Sequence, residues 1–185
     1  GAGVLAVDQI HDCGGKLAAL SAQTLARLDR ILPSTWSKAN PVDIIGDANA
    51  DRYMAAVEIV AADSGVDALL VLNCPTGLAS AVQAASAVAS LTDKGAINGK
   101  PVLACWLGEM TARRGREVLQ DAGVASFETP ASAAAAVSYL SDWSRSQKAL
   151  LRVPPRHAPN VVSGVDTALP VFRMAAGEGR SMLTE

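Results

Sequence analysis

The sequence predicts an α/β domain, three layers deep, built on a parallel sheet. Short apolar runs alternate with longer helix-like stretches along most of its 185 residues. One run, Ala68-Leu69-Leu70-Val71-Leu72-Asn73, is apolar at consecutive positions, as a strand buried on both faces is. Hydrophobic residues make up 50% of the chain and aromatics only 4%, so the core is made of Ala, Val, Leu and Ile. Side chains of that size suit close packing of helices on a sheet.

The elements follow in order. Gly1-Ala2-Gly3 leads into a helix-like stretch over 4–11, closed by Gly14-Gly15. Residues 16–20 read as a short strand. Ser21 is the natural cap of a helix over 22–32, with Leu25, Leu28 and Leu32 on one face and Pro33 stopping it. An irregular stretch holds Asn40-Pro41-Val42-Asp43 and Gly46-Asp47, and Asp47 or Asn49 caps a helix over 51–62. The strand at 68–73 is expected at the centre of the sheet. The turn Cys74-Pro75-Thr76-Gly77 opens an alanine-rich helix over 78–91. A strand over 101–106 precedes a helix over 110–122, which ends at Gly123, a residue suited to the left-handed position after a helix. Residues 124–127 form a short strand, and Pro130 opens a helix reaching about 147.

Two features are expected to lie outside a complete domain. A Gly-Ala-Gly turn before a helix ordinarily follows a strand, so the first strand of the sheet is expected to be lacking. Residues 152–185 carry scattered Pro and Gly without a sustained apolar period, and read as a linker after a domain over 1–151.

Composition excludes several classes. A net charge of −2 leaves no basic surplus for a phosphate backbone, so nucleic acid is not an expected partner. No apolar run reaches the roughly 18 residues of a membrane span. The three cysteines, Cys13, Cys74 and Cys105, and the two histidines, His11 and His157, form no metal-ligand spacing. A reducing cytoplasm is the expected setting, and no metal site is expected.

In open parallel sheets, ligands sit beyond the carboxyl ends of the strands. That rule points to Gly1–Gly3, to the stretch from Asn40 to Asp47, and to the turn from Asn73 to Gly77. At the third, Asn73, Thr76, Gly77 and Leu78 lead into a helix whose first N–H groups lack intrahelical partners. Its dipole leaves about half a positive charge there, enough to favour phosphate or carboxylate without a basic side chain. An ordinary strand–helix turn with Thr76 as its cap fits the same residues. Cys74 on this elbow is either a buried small hydrophobe or the nucleophile of an independent hydrolase, although no base or orienting carboxylate stands near it in sequence. Gly1, Gly3 and Ala6 match a dinucleotide fingerprint only loosely, because no acidic residue closes a following strand. Asn40 and Asp43 are candidates for ligand or interdomain contact, or for satisfying loop amides. Arg113, Arg114 and Arg116 read as a solvated helix face, and Trp36, Trp106 and Trp143 are too dispersed to stack on a ligand.

The order of these motifs resembles one domain of the nucleoside-diphosphate-forming acyl-CoA synthetases, the superfamily of succinyl-CoA synthetase. The resemblance rests on Gly1-Ala2-Gly3-Val4-Leu5-Ala6-Val7-Asp8, Gly14-Gly15 and Leu20-Ser21. It continues through Asn40-Pro41-Val42-Asp43-Ile44-Ile45-Gly46-Asp47-Ala48, Arg52-Tyr53 and Val66-Asp67-Ala68-Leu69-Leu70-Val71. Lys100-Pro101-Val102-Leu103-Ala104 and Phe127-Glu128-Thr129-Pro130 complete it. It covers Gly1 to about Leu151 and is nearest to fused acetyl-CoA-synthetase-type proteins, some of which also carry a protein acetyltransferase domain.

The resemblance implies a flavodoxin-like CoA-ligase domain, the fifth of the superfamily. In that family acid, CoA and ATP yield acyl-CoA, ADP and phosphate through a phosphohistidine, at which helix N-termini from two domains point. Asn73-Cys74-Pro75-Thr76-Gly77-Leu78-Ala79 matches one of those turns, although Pro75 offers no N–H. Neither His11 nor His157 stands in the phosphorylated motif. The resemblance therefore implies no cofactor bound by this domain alone, with ATP, Mg2+ and CoA used by a longer parent. The implied partners are CoA-binding, phosphohistidine and ATP-grasp domains and a small carboxylic acid, and a homo-oligomer is left open. The other implied role is a regulatory, ligand-sensing module of an acetyltransferase-type parent without synthetase activity.

Overall fold

A computed structural model describes residues 1–93, 97–152 and 164–180. Three strands form one parallel sheet: β1 (Leu69–Asn73), β2 (Val102–Trp106) and β3 (Ala125–Phe127), in that spatial order. Seven helices accompany them among the described residues: α1 (Ala2–Asp12), α2 (Ala22–Ile31), α3 (Ala50–Ala61), α4 (Ala81–Asp93), α5 (Met110–Asp121), α6 (Pro130–Leu150) and α7 (Val165–Gly177). The α/β class and parallel sheet are those the sequence predicts.

Local chemistry accounts for most boundaries. Ser21 caps α2, its hydroxyl accepting the Thr24 N–H at 3.2 Å. Asn49, one of the two expected caps, performs the same task for α3 through the Arg52 N–H at 3.0 Å. Gly123 ends α5 with φ +75°, the left-handed conformation that glycine adopts without a Cβ clash. Pro130 occupies the first position of α6, where its lacking N–H costs nothing.

The sheet grows in one direction. Leu69 to Asn73 align with Val102 to Trp106, and Leu103 to Cys105 align with Ala125 to Phe127. α4 and α5 pack against each other and share one core with the sheet, as two right-handed crossovers running in one direction place them. This main core joins Leu69 and Val71 of β1, Ala104 and Trp106 of β2, Tyr53 and Val57 of α3, Val88 and Leu91 of α4, and Leu119 of α5. A second cluster gathers Leu28, Leu32 and Trp36 against Ala56 and Ile59 of α3.

Three expectations require correction. First, β1 is at the sheet edge and β2 at the centre. Leu69, Val71 and Asn73 are buried, whereas Leu70 and Leu72 are only half-buried. An unbroken apolar run does not distinguish two covered faces from one covered face and one apolar, open one. Second, residues 16–20 form no strand: they join no ladder with any described residue. Third, α4 begins at Ala81 rather than at Leu78. Residues 74–80 form an irregular turn, and Ser80 caps the helix by accepting the Gln83 N–H at 3.3 Å. The stretch read as a linker includes a helix, α7, with Pro170 inside it.

The chain divides into two units, 1–146 and 147–185. The first holds the sheet. The second holds α7, which exposes Val165, Leu169, Phe172 and Met174. No helix of the described residues is long and apolar enough to cross a membrane.

Candidate functional site

At the carboxyl end of β1, Asn73 is the last strand residue and the first of the candidate site. It is 8% exposed. Its Nδ2 donates to the Tyr53 hydroxyl at 3.0 Å, and that hydroxyl donates to the Leu72 carbonyl at 3.2 Å. Asn73 Oδ1 is the one buried side-chain oxygen or nitrogen without a hydrogen-bond partner among the described residues. An orphaned buried acceptor costs about 1–3 kcal/mol, so its retention here calls for a reason. Burial raises the Tyr53 pKa above its ordinary value, although the Asn73 hydrogen bond works against that shift. The phenol stays protonated and keeps its donor. Its ring lies 6.2 Å from that of Trp106, tilted by 42°.

Thr76 has a different task from the expected cap. Its hydroxyl donates to the Gly46 carbonyl at 2.8 Å and accepts the Leu78 N–H at 3.2 Å. The turn after β1 is thereby latched to the stretch 40–47, and the second and third candidate places are joined. Gly77 has open space where a side chain would begin. Leu78 is exposed and lies ahead of the helix rather than in its first turn.

The helix end itself is anchored from below. The Trp106 indole N–H donates to the Ala81 carbonyl at 2.9 Å, tying the first residue of α4 to the end of β2. Trp106 is fully buried. A Cβ on Gly115 of α5 would lie 2.8 Å from the indole Cδ1, so only glycine lets α5 approach there. The Ser80 hydroxyl serves the Gln83 N–H; no described group serves those of Ala81 and Val82. Two main-chain donors and the positive end of a 13-residue helix remain to face an anion.

The neighbouring loop is strained. Ile45 has φ +68°, a conformation that crowds a β-branched side chain and costs about 1–3 kcal/mol. It directly precedes Gly46, the residue that receives Thr76. Asp43 Oδ1 accepts the Ile45 N–H at 2.9 Å and so closes this bend. Arg52 adds its guanidinium to the Ile44 carbonyl at 3.2 Å and to Asp47 at 2.5 Å.

Gly3 of the first candidate place lies against Pro41 of the second, and the remaining candidates make structural contacts or none. Asn40 Nδ2 donates to the Ala18 carbonyl at 2.9 Å, a structural tie. Gly3 lies beside Pro41, and a Cβ there would meet the proline at 3.6 Å; Gly1 faces open space. Cys74 is exposed, contrary to the buried reading, and no described histidine hydrogen-bonds it. His11 lies exposed on α1, and His157 lies outside the described residues. Cys105 is buried, and burial pushes its thiol up to about 11. Arg113 and Arg114 pair with Glu109 and Glu117 on an exposed face, as expected. Arg116 departs from that pattern: it is mostly buried, donates to the Trp106 and Gly108 carbonyls at 2.9 and 2.6 Å, and pairs with Glu128. No described group of three or more His, Cys, Asp and Glu side chains is arranged to hold a metal ion.

Sequence reasoning did not single out Tyr53, Ile45 or Ser80 as parts of this site. Ser80 carried a signal, a hydroxyl residue immediately before a long small-residue run. Tyr53 and Ile45 stand within the motifs of the resemblance, but no local pattern shows their roles, because one acts across 20 residues and the other through backbone conformation.

Comparison with known proteins identifies the family of the chain. The chain is 31% identical over 145 residues to acetate–CoA ligase [ADP-forming] I of Archaeoglobus fulgidus, covering 78% of this chain and 20% of that protein. It is 33% identical over 143 residues to the acetate–CoA ligase [ADP-forming] II subunit alpha of Pyrococcus furiosus, covering 76% and 31%. Among solved structures, the apo form of the dinucleotide-forming acetyl-coenzyme A synthetase 1 of Ca. Korarchaeum cryptofilum superposes with a TM-score of 0.75 at 29% identity. That match covers 82% of this chain and 34% of the other. The same protein has also been solved in complex with phosphate and ADP. The chain thus spans between a fifth and a third of the length of these relatives. A family model described as the Ligase-CoA domain matches residues 1–151, and the chain belongs to that family, found in ADP-forming acyl-CoA synthetases.

Proposed function

We propose that this chain works as one domain of a longer ADP-forming acyl-CoA synthetase, which converts acid, CoA and ATP to acyl-CoA, ADP and phosphate. Its part is to present the N-terminus of α4 to an anionic group, a phosphohistidine or a substrate carboxylate held by another domain. The observation that carries this reading is the anchored helix end: the Ala81 and Val82 N–H groups stand beyond the carboxyl end of β1, with Trp106 fixing Ala81 from below. Such an end favours negative charge by about 0.3–1 kcal/mol when exposed and about 2 when partly buried. Asn73, Thr76, Gly77 and Leu78 form the rim of this site. Gly1, Gly3, Asn40 and Asp43 lie on the surface offered to neighbouring domains.

In this reading ATP, Mg2+ and CoA are held by the other domains, and the small carboxylic acid reaches the site from them. CoA-binding, phosphohistidine and ATP-grasp domains are the partners, and the cytoplasm is the setting. The acetate–CoA ligases that the chain resembles, and the phosphate and ADP complex of its structural neighbour, support it.

The test is Thr76→Glu in the longer polypeptide, with Thr76→Val as control. Both lose the latch to Gly46, but only Glu adds a carboxylate beside the anion site. The expected outcome is that Thr76→Glu lowers histidine phosphorylation by ATP, and ADP release with acetate and CoA, well below the Thr76→Val level. Equal turnover in the two variants would mean that the turn is structural only.

A further inference from the structure

One cation departs from the solvated face of α5. The Arg116 side chain is only 13% exposed. Its Nη1 donates to the Trp106 carbonyl at 2.9 Å and to the Gly108 carbonyl at 2.6 Å, and its Nη2 faces the Glu128 carboxylate at 3.3 Å. The guanidinium therefore sits at the carboxyl ends of β2 and β3, the side of the sheet on which the turn after β1 also lies. Carbonyl oxygens at such an end carry negative partial charge and repel an anion. Arg116 occupies two of them and adds a full positive charge.

The same residue stands close to the start of α4. Gly115, one position earlier on α5, would place a Cβ 3.3 Å from the Ala81 carbonyl. Consecutive Cα atoms are about 3.8 Å apart, so the Arg116 Cα lies within about 9 Å of that carbonyl. At ordinary salt, charges are felt over about 8–10 Å. Trp106 completes the link, since its carbonyl receives Arg116 and its indole N–H holds Ala81 at 2.9 Å.

The rest of the corner is poor in positive charge. No Lys or Arg occurs from Asn73 to Asp93, so the turn and α4 offer only main-chain donors and the helix dipole. Arg52, which bonds the Ile44 carbonyl, is matched by Asp47 at 2.5 Å and adjoins Asp51 in sequence. Arg116 is matched by Glu128, whose side chain is 71% exposed and screened by water. Asn73 Oδ1, the buried acceptor without a partner, is a second and independent sign that a ligand completes this corner.

We propose that Arg116 sets the anion affinity of the α4 end, supplying the positive charge that the turn lacks. It acts at a distance, as a positioning residue for the incoming phosphoryl or carboxylate group, and the Trp106 and Gly108 carbonyls fix where its charge sits. The inference rests on the reading of the α4 end as an anion site.

The experiment titrates inorganic phosphate into the 185-residue chain at neutral pH and low salt, following the Ala81 and Val82 amide shifts by NMR. Arg116→Gln is expected to weaken binding about three- to tenfold, and Arg116→Lys to stay within about twofold of wild type. Glu128→Gln, a change at an exposed side chain, is expected to tighten binding about twofold. These differences are expected to shrink as salt is raised to about 0.5 M. A purely structural brace does not give opposite signs at 116 and 128, because both variants lose the same ion pair. Equal binding by wild type and Arg116→Gln would overturn the proposal. So would weaker or unchanged binding by Glu128→Gln, or a loss in Arg116→Lys as large as in Arg116→Gln. Should Arg116→Gln fail to fold, the Arg116→Lys and Glu128→Gln titrations decide the question. No phosphate shift at Ala81 or Val82 in wild type would overturn the anion-site reading and this inference with it. Phosphate shifts that ignore every variant would sink this inference alone.

Discussion

Asn73→Leu is expected to make the domain more stable and the synthetase less active. Wild-type Asn73 is 8% exposed and keeps Oδ1 buried without a partner. Leucine removes that acceptor and relieves about 1–3 kcal/mol of uncompensated desolvation. It also removes the 3.0 Å hydrogen bond from Nδ2 to Tyr53, worth about 0.5–1.5 kcal/mol. Tyr53 is not stranded, because its hydroxyl still donates to the Leu72 carbonyl. The net expectation is a gain of about 1 kcal/mol. Urea unfolding followed by circular dichroism reads this as a higher midpoint at unchanged slope, with a rise in Tm of about 2–4 °C for a chain of this size. The same substitution in the longer polypeptide is expected to lower turnover, since a buried polar group retained at a loss to stability is characteristic of a working site. A loss of more than about 1 kcal/mol in the isolated chain would refute the reasoning, because it would show that Oδ1 is satisfied in solution.

Gly115→Ala places a methyl 2.8 Å from Trp106 Cδ1 and 3.3 Å from the Ala81 carbonyl. Despite the roughly 1 kcal/mol gained in helix propensity, a net loss of about 1–2 kcal/mol is expected in urea titrations, and a net gain would show that α5 shifts freely. Ile45→Asn relieves the φ of +68°, a conformation that asparagine accepts, and is expected to raise stability by about 1 kcal/mol. A lower Tm in that variant would assign the loop's shape to isoleucine packing instead. Asp63 has its carboxyl held well below the usual range, first by the Thr24 hydroxyl and then by the N–H groups of Ser21 and Gly65. Its folded pKa is the lower one, so its contribution is complete above about pH 4 and is lost as the pH falls further. Asp63→Asn should therefore flatten the acid limb of the stability–pH curve while the neutral limb keeps its shape; an unaltered acid limb would mean that other carboxylates control it.

Much of the fold is legible where it depends on neighbours in sequence. Ser21, Asn49, Gly123 and Pro130 each mark a helix end through a hydrogen bond or dihedral angle that their own chemistry dictates. The strands at 69–73, 102–106 and 125–127 stand within one residue of their apolar runs. What depends on partners far along the chain is not legible. Residues 16–20 have strand composition, but a ladder needs a second strand, and composition does not say whether one is beside it. The apolar run of β1 hides the difference between centre and edge for the same reason. The turn after β1 was visible as a candidate site from its place at a strand's carboxyl end. Its exact shape was not, because Thr76 bonds across 30 residues to Gly46 instead of capping a helix beside it. α7 was hidden by Pro170, which usually argues against a helix interior.

The indole that anchors Ala81 is also an optical probe of the site. Trp106 is fully enclosed and hydrogen-bonded to the first residue of α4. Trp36 is enclosed too, but in the other cluster, beside Lys38. Trp143 is 62% exposed. Acrylamide or iodide therefore silences Trp143 first and leaves a blue emission from the two enclosed rings. With Trp36 and Trp143 changed to Phe, the remaining light comes from a ring bonded directly to the first residue of α4. Any movement of that end when another domain docks becomes a change in colour, readable without labelling the protein.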